Sequence, residues 1–332
     1  MKKILITGGA GYVGGVMVPQ LLAKGYDVTV YDVCFFGKDQ LPKGPRFRLI
    51  EGDIRDTAKL AKAFAGIDIV LHLACISNDP SFELDEGLSE SINYECFEPM
   101  VIAAKQAGVK RFVYCSSSSV YGVSDKPEVT EDHPLVPVSL YNKFKGMCEP
   151  LLFKHQAPGF TCVTIRPATV CGYSPRTRLD LTVNILTNHA FHNRKITVFG
   201  GDQLRPNLHI NDMCDLYELL LKLPDQKIAG QTFNAGYQNR TVMDIAEMVK
   251  TVVEAECPEK APIEIVRTDT NDPRSYHINS DKIRRVLGYS PKHTVEDAVR
   301  DLCAAFKAGK LPNSLDDSQY FNVRTMKQLN AA

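Results

Sequence analysis

Tyr141 and Lys145 stand four residues apart in Tyr141-Asn-Lys-Phe-Lys145. On a helix that spacing puts both side chains on one face, one turn apart. There the ammonium favours the phenolate and lowers a phenol pKa that is ordinarily about 10. A phenolate is a base for an alcohol proton, and the phenol is an acid for the returning alkoxide. A second cluster, Cys115-Ser116-Ser117-Ser118-Ser119-Val120-Tyr121-Gly122, follows the apolar run Phe112-Val113-Tyr114. A hydroxyl from such a strand end can hold the same reacting oxygen. Tyr-x-x-x-Lys is a weak pattern alone, with about one match expected by chance in a chain this rich in tyrosine and lysine. Its weight comes from what precedes it.

The elements that must position these groups begin at the N-terminus. Ile4-Leu5-Ile6 is a continuous apolar run, the pattern of a strand buried on both faces. It breaks into Thr7-Gly8-Gly9-Ala10-Gly11-Tyr12-Val13-Gly14, after which Val13, Val16, Met17, Leu21 and Leu22 recur at helical intervals. Strand, glycine turn and helix together present backbone N–H groups and a helix N-terminus to a pyrophosphate. Both Gly9-x-Gly11-x-x-Gly14 and Gly8-x-x-Gly11-x-x-Gly14 fit a dinucleotide turn. The next apolar run, Val28 to Tyr31, ends at Asp32, about twenty residues beyond the turn, where a carboxylate bonds the ribose hydroxyls and repels a 2′-phosphate. NAD is the cofactor this arrangement favours.

Strands are expected at 28–32, 46–51, 67–74, 111–116 and 161–166, with helices near 57–64, 92–106 and 140–155 between them. Such alternation implies parallel pairing with right-handed crossovers, hence an α/β fold with a Rossmann-like doubly wound parallel sheet. Asp53, after the third strand, would point over the adenine end of a cofactor. Beyond Pro167 the rhythm changes: helices at 179–193, 211–223, 241–255 and 295–308, and strands at 195–199, 232–236 and 263–267, describe a smaller mixed α/β lobe. The division expected is 1–170 for cofactor and mainly 171–332 for substrate, with segments near 207–236 returning to the first. The last stretch, from Leu315, carries scattered apolar residues and is expected to pack.

Composition excludes several classes. Lys+Arg and Asp+Glu balance at 39 each, which argues against nucleic-acid and membrane-surface partners. No apolar run approaches the roughly 18 residues of a spanning helix, and the N-terminal strand replaces an apolar leader, so a cytoplasmic location is the default expectation. The ten cysteines form no Cys-x-x-Cys and read as reduced, mostly buried thiols. His189-x-x-His192 reads as a helix face and His72 as a strand residue; no metal is expected.

With these residues in hand, the chain resembles the extended short-chain dehydrogenase/reductases, in particular their NAD-dependent nucleotide-sugar epimerase/dehydratase group. The residues that carry the resemblance run from the glycine turn through His72-Leu73-Ala74, Asn93, Ser117 to Gly122 and Tyr141/Lys145 to Arg205-x-x-x-His209-Ile210-x-Asp212. It implies a catalytic Ser117, Tyr141 and Lys145. It implies cofactor contacts from Gly8, Gly11, Tyr12, Val13, Gly14, Asp32, Asp53, Ile54, Leu73, Ala74 and Asn93 besides Tyr141 and Lys145. The second lobe would bind a nucleotide sugar, with Arg205 and Arg274 (in Asn271-Asp-Pro-Arg274) against its pyrophosphate and Ser117, Thr169 and Arg178 nearby; Arg176 is a further candidate. Family dehydratases carry acids in the two positions after the catalytic serine; Ser118 and Ser119 stand there, which points to an epimerase passing through a keto-sugar. A keto-sugar reductase or dehydrogenase is the alternative, and a non-catalytic sensor the most remote. Thr169 and Cys171 replace the asparagine and tyrosine of many members, so the resemblance does not carry over the usual sugar-hydroxyl contacts at that place or the common UDP-glucose/UDP-galactose pairing. The resemblance also implies a homodimer through the helices at 92–106 and 140–155.

Overall fold

The computed structural model describes residues 2–270 and 274–330. Its twelve strands are β1 (Lys3–Thr7), β2 (Asp27–Asp32), β3 (Phe47–Glu51), β4 (Ile69–His72), β5 (Arg111–Cys115), β6 (Thr161–Pro167), β7 (Thr169–Cys171), β8 (Lys195–Phe199), β9 (Leu204–His209), β10 (Gln231–Ala235), β11 (Gln238–Thr241) and β12 (Glu264–Thr268). Seven form one all-parallel sheet in the order β10-β6-β5-β4-β1-β2-β3. β1 lies between β2 and β4, with Ile4 opposite both Val28 and Ile69. That is where the strand order reverses, and a crevice opens there at the carboxyl edge of such a sheet. Ile4, Leu5 and Ile6 are fully buried, as their unbroken apolar run requires.

One face of the sheet is covered by helices Tyr12–Ala23 and Ile210–Lys222, whose Met17, Leu21, Leu216 and Leu220 meet Ile4, Ile6 and Val113. The other face carries Thr57–Ala63, Phe97–Gln106 and Leu140–Phe153, built on Leu60, Phe97, Met100, Phe112 and Leu152. β10 and helix Asp281–Leu287 both pack with this sheet, so the chain comes back to it twice. A separate core joins helices Thr182–Asn193, Val242–Glu256 and Val295–Lys307 through Val183, Val249, Val253, Val299 and Leu302. Thr241 caps the second of these, with Asp244 completing a reciprocal capping box.

Several expected boundaries move. The strand anticipated over 67–74 is only Ile69–His72, and the helix anticipated over 92–106 begins with a π-helical turn, Ser91–Glu95. That turn aims Asn93 inward, where its amide is used (below). Two small sheets complete the second lobe. β12 pairs with β8 in parallel, whereas β9 runs antiparallel to β11 and parallel to β7. No described helix is long and apolar enough to cross a membrane.

Candidate active site

Residues from both lobes line a single cleft of about 640 Å³ at the carboxyl edge of the sheet. Gly8 opens its floor at φ +75°, and a Cβ there would lie 2.6 Å from the Ala74 nitrogen. Gly14 approaches the turn still more closely, since its Cβ would lie 2.2 Å from the Gly9 carbonyl oxygen. Gly11 is the N-cap of helix Tyr12–Ala23, and no side chain caps or charges that first turn. A bare helix N-terminus beneath an open cleft is the environment a pyrophosphate requires. Tyr12 lines the cleft, but its hydroxyl donates to the Gly172 carbonyl at 2.6 Å and accepts from Asn184 at 3.1 Å, tying the second lobe to the turn.

Asp32 closes the adenosine end. Its two oxygens accept from the backbone N–H groups of Ala10 and Cys34 at 2.9 and 2.8 Å. Burial raises its pKa, opposed by those same N–H groups and by Arg176. Asp53, Ile54, Leu73 and Ala74 all face the cleft. The Asp53 carboxylate also pairs with Arg55, which lowers its pKa. Asn93 does not line the cleft: its side chain brackets Ile76, accepting from the N–H and donating to the carbonyl, both at 2.8 Å. The direct cofactor contact expected of Asn93 becomes support for the wall, because the amide has both its groups committed.

Ser117, Tyr141 and Lys145 all reach the cleft. Ser117 follows β5, and its Oγ lies 2.6 Å from Ser119 Oγ, which in turn donates to Asn142. Lys145 Nζ donates to the Cys115 carbonyl at 2.7 Å, fastening helix Leu140–Phe153 to the end of β5. The expected fall in the Tyr141 pKa is not what this environment produces. Burial raises it, with Cys75 adding to that and Lys145 acting only partly against it. For this part-buried phenol the desolvation outweighs the pull of one ammonium.

Behind Ser117 lies a buried polar network. Ser116 Oγ donates to Glu149 at 2.6 Å, Glu149 takes a two-pronged bond from Arg166 at 2.9 and 2.5 Å, and Arg166 reaches Tyr121 Oη at 2.6 Å. Tyr121 donates onward to Asn234 of β10 at 2.7 Å.

On the substrate side, Arg205 and Arg274 lie together although 69 positions separate them, and Arg205 donates to the Arg274 carbonyl at 2.6 Å. Arg274 pairs with Asp79 at 2.7 Å, and Asp79 accepts at 2.6 Å from Ser139, the N-cap of the Tyr141 helix. The Asn271-Asp-Pro that precedes Arg274 lies outside the described residues. Thr169 lines the cleft at the start of β7. Arg178 also lines it, yet its fork is closed on Asp180 at 2.9 and 3.1 Å and on Ser77 at 3.1 Å. That guanidinium is committed within the protein, which weighs against the expected role at a substrate phosphate. His209 and Asp212 do not line the cleft. His209 caps helix Ile210–Lys222 and stacks on His293, and Asp212 accepts from the N–H groups of Lys292 and His293.

Sequence reasoning missed Asp79, Ser77, Phe36, Asp180, Asn322 and Met326, all of which line the cleft. Asn322 and Met326 belong to the C-terminal helix Asn322–Asn330, and no local motif marks them.

A dinucleotide fits these residues: a turn where a Cβ would collide, an uncapped helix N-terminus, and a carboxylate held by two N–H groups. A family model described as the NAD dependent epimerase/dehydratase family matches residues 4–236. A UDP-glucose 4-epimerase of Lactobacillus helveticus is 30% identical over 322 residues, covering 90% of this chain and 94% of that protein. A dTDP-glucose 4,6-dehydratase from Streptomyces venezuelae, solved with NAD bound, superposes with a TM-score of 0.82 at 24% identity over 95% of this chain and 100% of that one. The structure of MoeE5 in complex with UDP-glucose and NAD gives 0.79 at 26% identity, covering 95% of this chain and 100% of that chain. At this coverage the chain belongs to the NAD-dependent epimerase/dehydratase family, and its cofactor is NAD.

Proposed function

We propose that this enzyme is a nucleotide-sugar epimerase that inverts a sugar carbon through a transient keto-sugar. The observation that carries the reading is at Ser118 and Ser119, which offer only hydroxyls where the dehydratases of the family carry acids; Ser119 Oγ lies 2.6 Å from Ser117 Oγ and donates to Asn142. The carboxylates that do line the cleft are otherwise engaged: Asp32 by backbone N–H groups, Asp53 by Arg55, Asp79 by Arg274 and Asp180 by Arg178.

Bound NAD supplies a reversible acceptor for the hydrogen on the reacting carbon. Tyr141 takes the proton of the sugar hydroxyl as the carbon is oxidised and returns it when the opposite face is reduced. A phenol raised by burial alone is a poor base. Lys145 works against that burial, and a positively charged cofactor held in the cleft would act in the same direction, toward phenolate. Ser117 holds the reacting oxygen, Lys145 keeps the helix against β5, and Arg205 and Arg274 receive the nucleotide diphosphate. The same helix and Phe97–Gln106 leave Ile102 and Leu140 exposed, and two copies of the chain would pair across that face. A sedimentation mass of one chain at micromolar concentration would exclude the pair.

The deciding experiment offers UDP-, GDP-, dTDP- and CDP-sugars to enzyme carrying NAD and separates the products. Epimer formation with no net change at the reduced-nicotinamide absorbance band supports the proposal. Stoichiometric cofactor oxidation or reduction would identify a keto-sugar reductase or dehydrogenase instead.

A further inference from the structure

Two neighbouring arginines on one loop are treated differently by the fold. Arg178 has its own carboxylate, Asp180. Arg176 is 6% exposed and makes no ion pair among the described residues. Its Nη2 donates to the Asn322 side-chain oxygen at 2.6 Å, its plane lies 3.9 Å over the Phe36 ring, and its Nε has no hydrogen-bond partner. A buried guanidinium left in this condition is costly unless an anion completes it. Burial, and then Arg178, push its pKa down to about 9.

The position of Arg176 says which anion that is. Ser174 donates to the Tyr12 carbonyl at 2.8 Å, and the Arg176 N–H donates to Ser174 Oγ at 3.3 Å. The Arg176 nitrogen would lie only 3.6 Å from a Cβ on Gly15. The loop is thus laid on the uncapped first turn of the glycine-turn helix, and Arg176 faces the cleft above it. Phe36, the ring that Arg176 covers, belongs to the segment that follows Asp32. An anion that meets Arg176 in the cleft, over the first turn of that helix, is placed as the diphosphate of a dinucleotide would be.

We propose that Arg176 is a ligand of the cofactor diphosphate, held in place by Asn322, so that the second lobe and the C-terminal helix latch the cofactor over its glycine turn. Asn322 is itself anchored at two further points: its backbone N–H donates to Asp180 at 3.1 Å and its side-chain nitrogen to Ser77 at 2.9 Å. The proposal rests on NAD as cofactor and deepens the epimerase reading, because an enzyme that regenerates its cofactor in each cycle gains by keeping it.

The test is calorimetric titration of nucleotide-free protein with NAD, adenosine, UDP and NADP. Arg176→Gln should weaken NAD about ten- to a hundredfold, the range for a charge-assisted hydrogen bond, and leave adenosine and UDP unchanged. Arg176→Lys should retain part of the affinity, and Asn322→Ala should lose less than Arg176→Gln. Adenosine binding also reports whether each variant is folded. Equal loss of NAD and adenosine would mean a structural role and overturn the proposal. Loss of UDP with NAD intact would assign Arg176 to the substrate. NADP bound more tightly than NAD by the wild type, and lost in Arg176→Gln, would assign it to a 2′-phosphate. These are binding measurements, so they stand apart from whether turnover is epimerisation or reduction.

Discussion

Gly8 and Gly66 share a backbone conformation, with φ of +75° and +72°, and differ in what surrounds them. A Cβ on Gly66 would meet nothing within 4 Å, whereas one on Gly8 would lie 2.6 and 2.7 Å from the Ala74 nitrogen and Cα and 2.9 Å from the Leu73 carbonyl carbon. Left-handed backbone costs a non-glycine residue roughly 1–2 kcal/mol, and the stiffer unfolded chain returns about 0.4–1 of that. Gly66→Ala should therefore destabilise by about 1 kcal/mol. Gly8→Ala carries the same cost plus an overlap against main chain that no rotamer relieves, typically about 1–3 kcal/mol, for a total of about 2–4. The strain falls on the β1–β4 seam, and relieving it displaces Leu73 and Ala74, which wall the cofactor cleft. Urea unfolding of nucleotide-free protein measures the first effect and NAD titration the second. Gly66→Ala should bind NAD like the wild type; Gly8→Ala should bind at least about tenfold more weakly, the equivalent of 1.4 kcal/mol. Equal stability losses in the two variants, with wild-type NAD affinity in both, would refute the close-approach reasoning.

Tyr141→Phe should lower turnover about a hundred- to ten-thousandfold, the span of a general acid–base contribution, while the NAD content per chain stays constant; single-turnover product analysis beside nucleotide release checks both. Asp32→Ala should erode the preference for NAD over NADP, measured as the ratio of dissociation constants, and a wild type that prefers NADP would contradict the reading of Asp32. His72, 4% exposed and 2.7 Å from Thr7 Oγ1, has its pKa lowered to about 3 by burial and then by Lys145. Below the unfolded value of about 6.5 the unfolded chain binds a proton that the native imidazole refuses, so stability falls as pH drops toward 3. Between pH 7 and pH 5 that loss is about 2 kcal/mol from His72 alone, at 1.36 kcal/mol per pH unit. Urea midpoints for wild type and His72→Asn should show the variant losing correspondingly less, and identical losses would remove His72 from the account.

The first lobe was legible because its residues obey local rules. Ile4-Leu5-Ile6 could only be buried, the glycine turn needs positive φ at Gly8 and close approach at Gly8 and Gly14, and Thr241 with Asp244 spells a helix start that the structure reproduces. The second lobe resisted because β7, β9 and β11 are short and partly polar; β9, Leu-Arg-Pro-Asn-Leu-His, has neither alternation nor an apolar run. The cleft residues missed were legible to no local rule. Asn322 reaches Arg176 across 146 positions, and Asp79 reaches Arg274 across 195. Tyr141 shows the converse limit. Its spacing from Lys145 puts both on one helix, but spacing carries no information on desolvation, which here raises the phenol pKa.

The network around Ser117 explains how a loop residue can serve as a fixed point for chemistry. Ser116 on one side and Tyr121 on the other are both bonded into the Glu149–Arg166 pair, which is almost wholly enclosed. A buried ion pair of this kind contributes little net stability compared with apolar residues of the same volume. Its geometric effect is larger, since Glu149 comes from the Tyr141 helix, Arg166 from β6 and Asn234 from β10. Lys145 adds a second tie from that helix to the end of β5. In the proposed mechanism, the serine that would hold the oxygen and the tyrosine that would move the proton are thereby referred to one frame. Positioning within about half an ångström is what acid–base catalysis demands of such a pair. The cofactor is referred to the same frame from the other side, because the Tyr12 hydroxyl binds Gly172 and joins the glycine-turn helix to the lobe that carries Arg176.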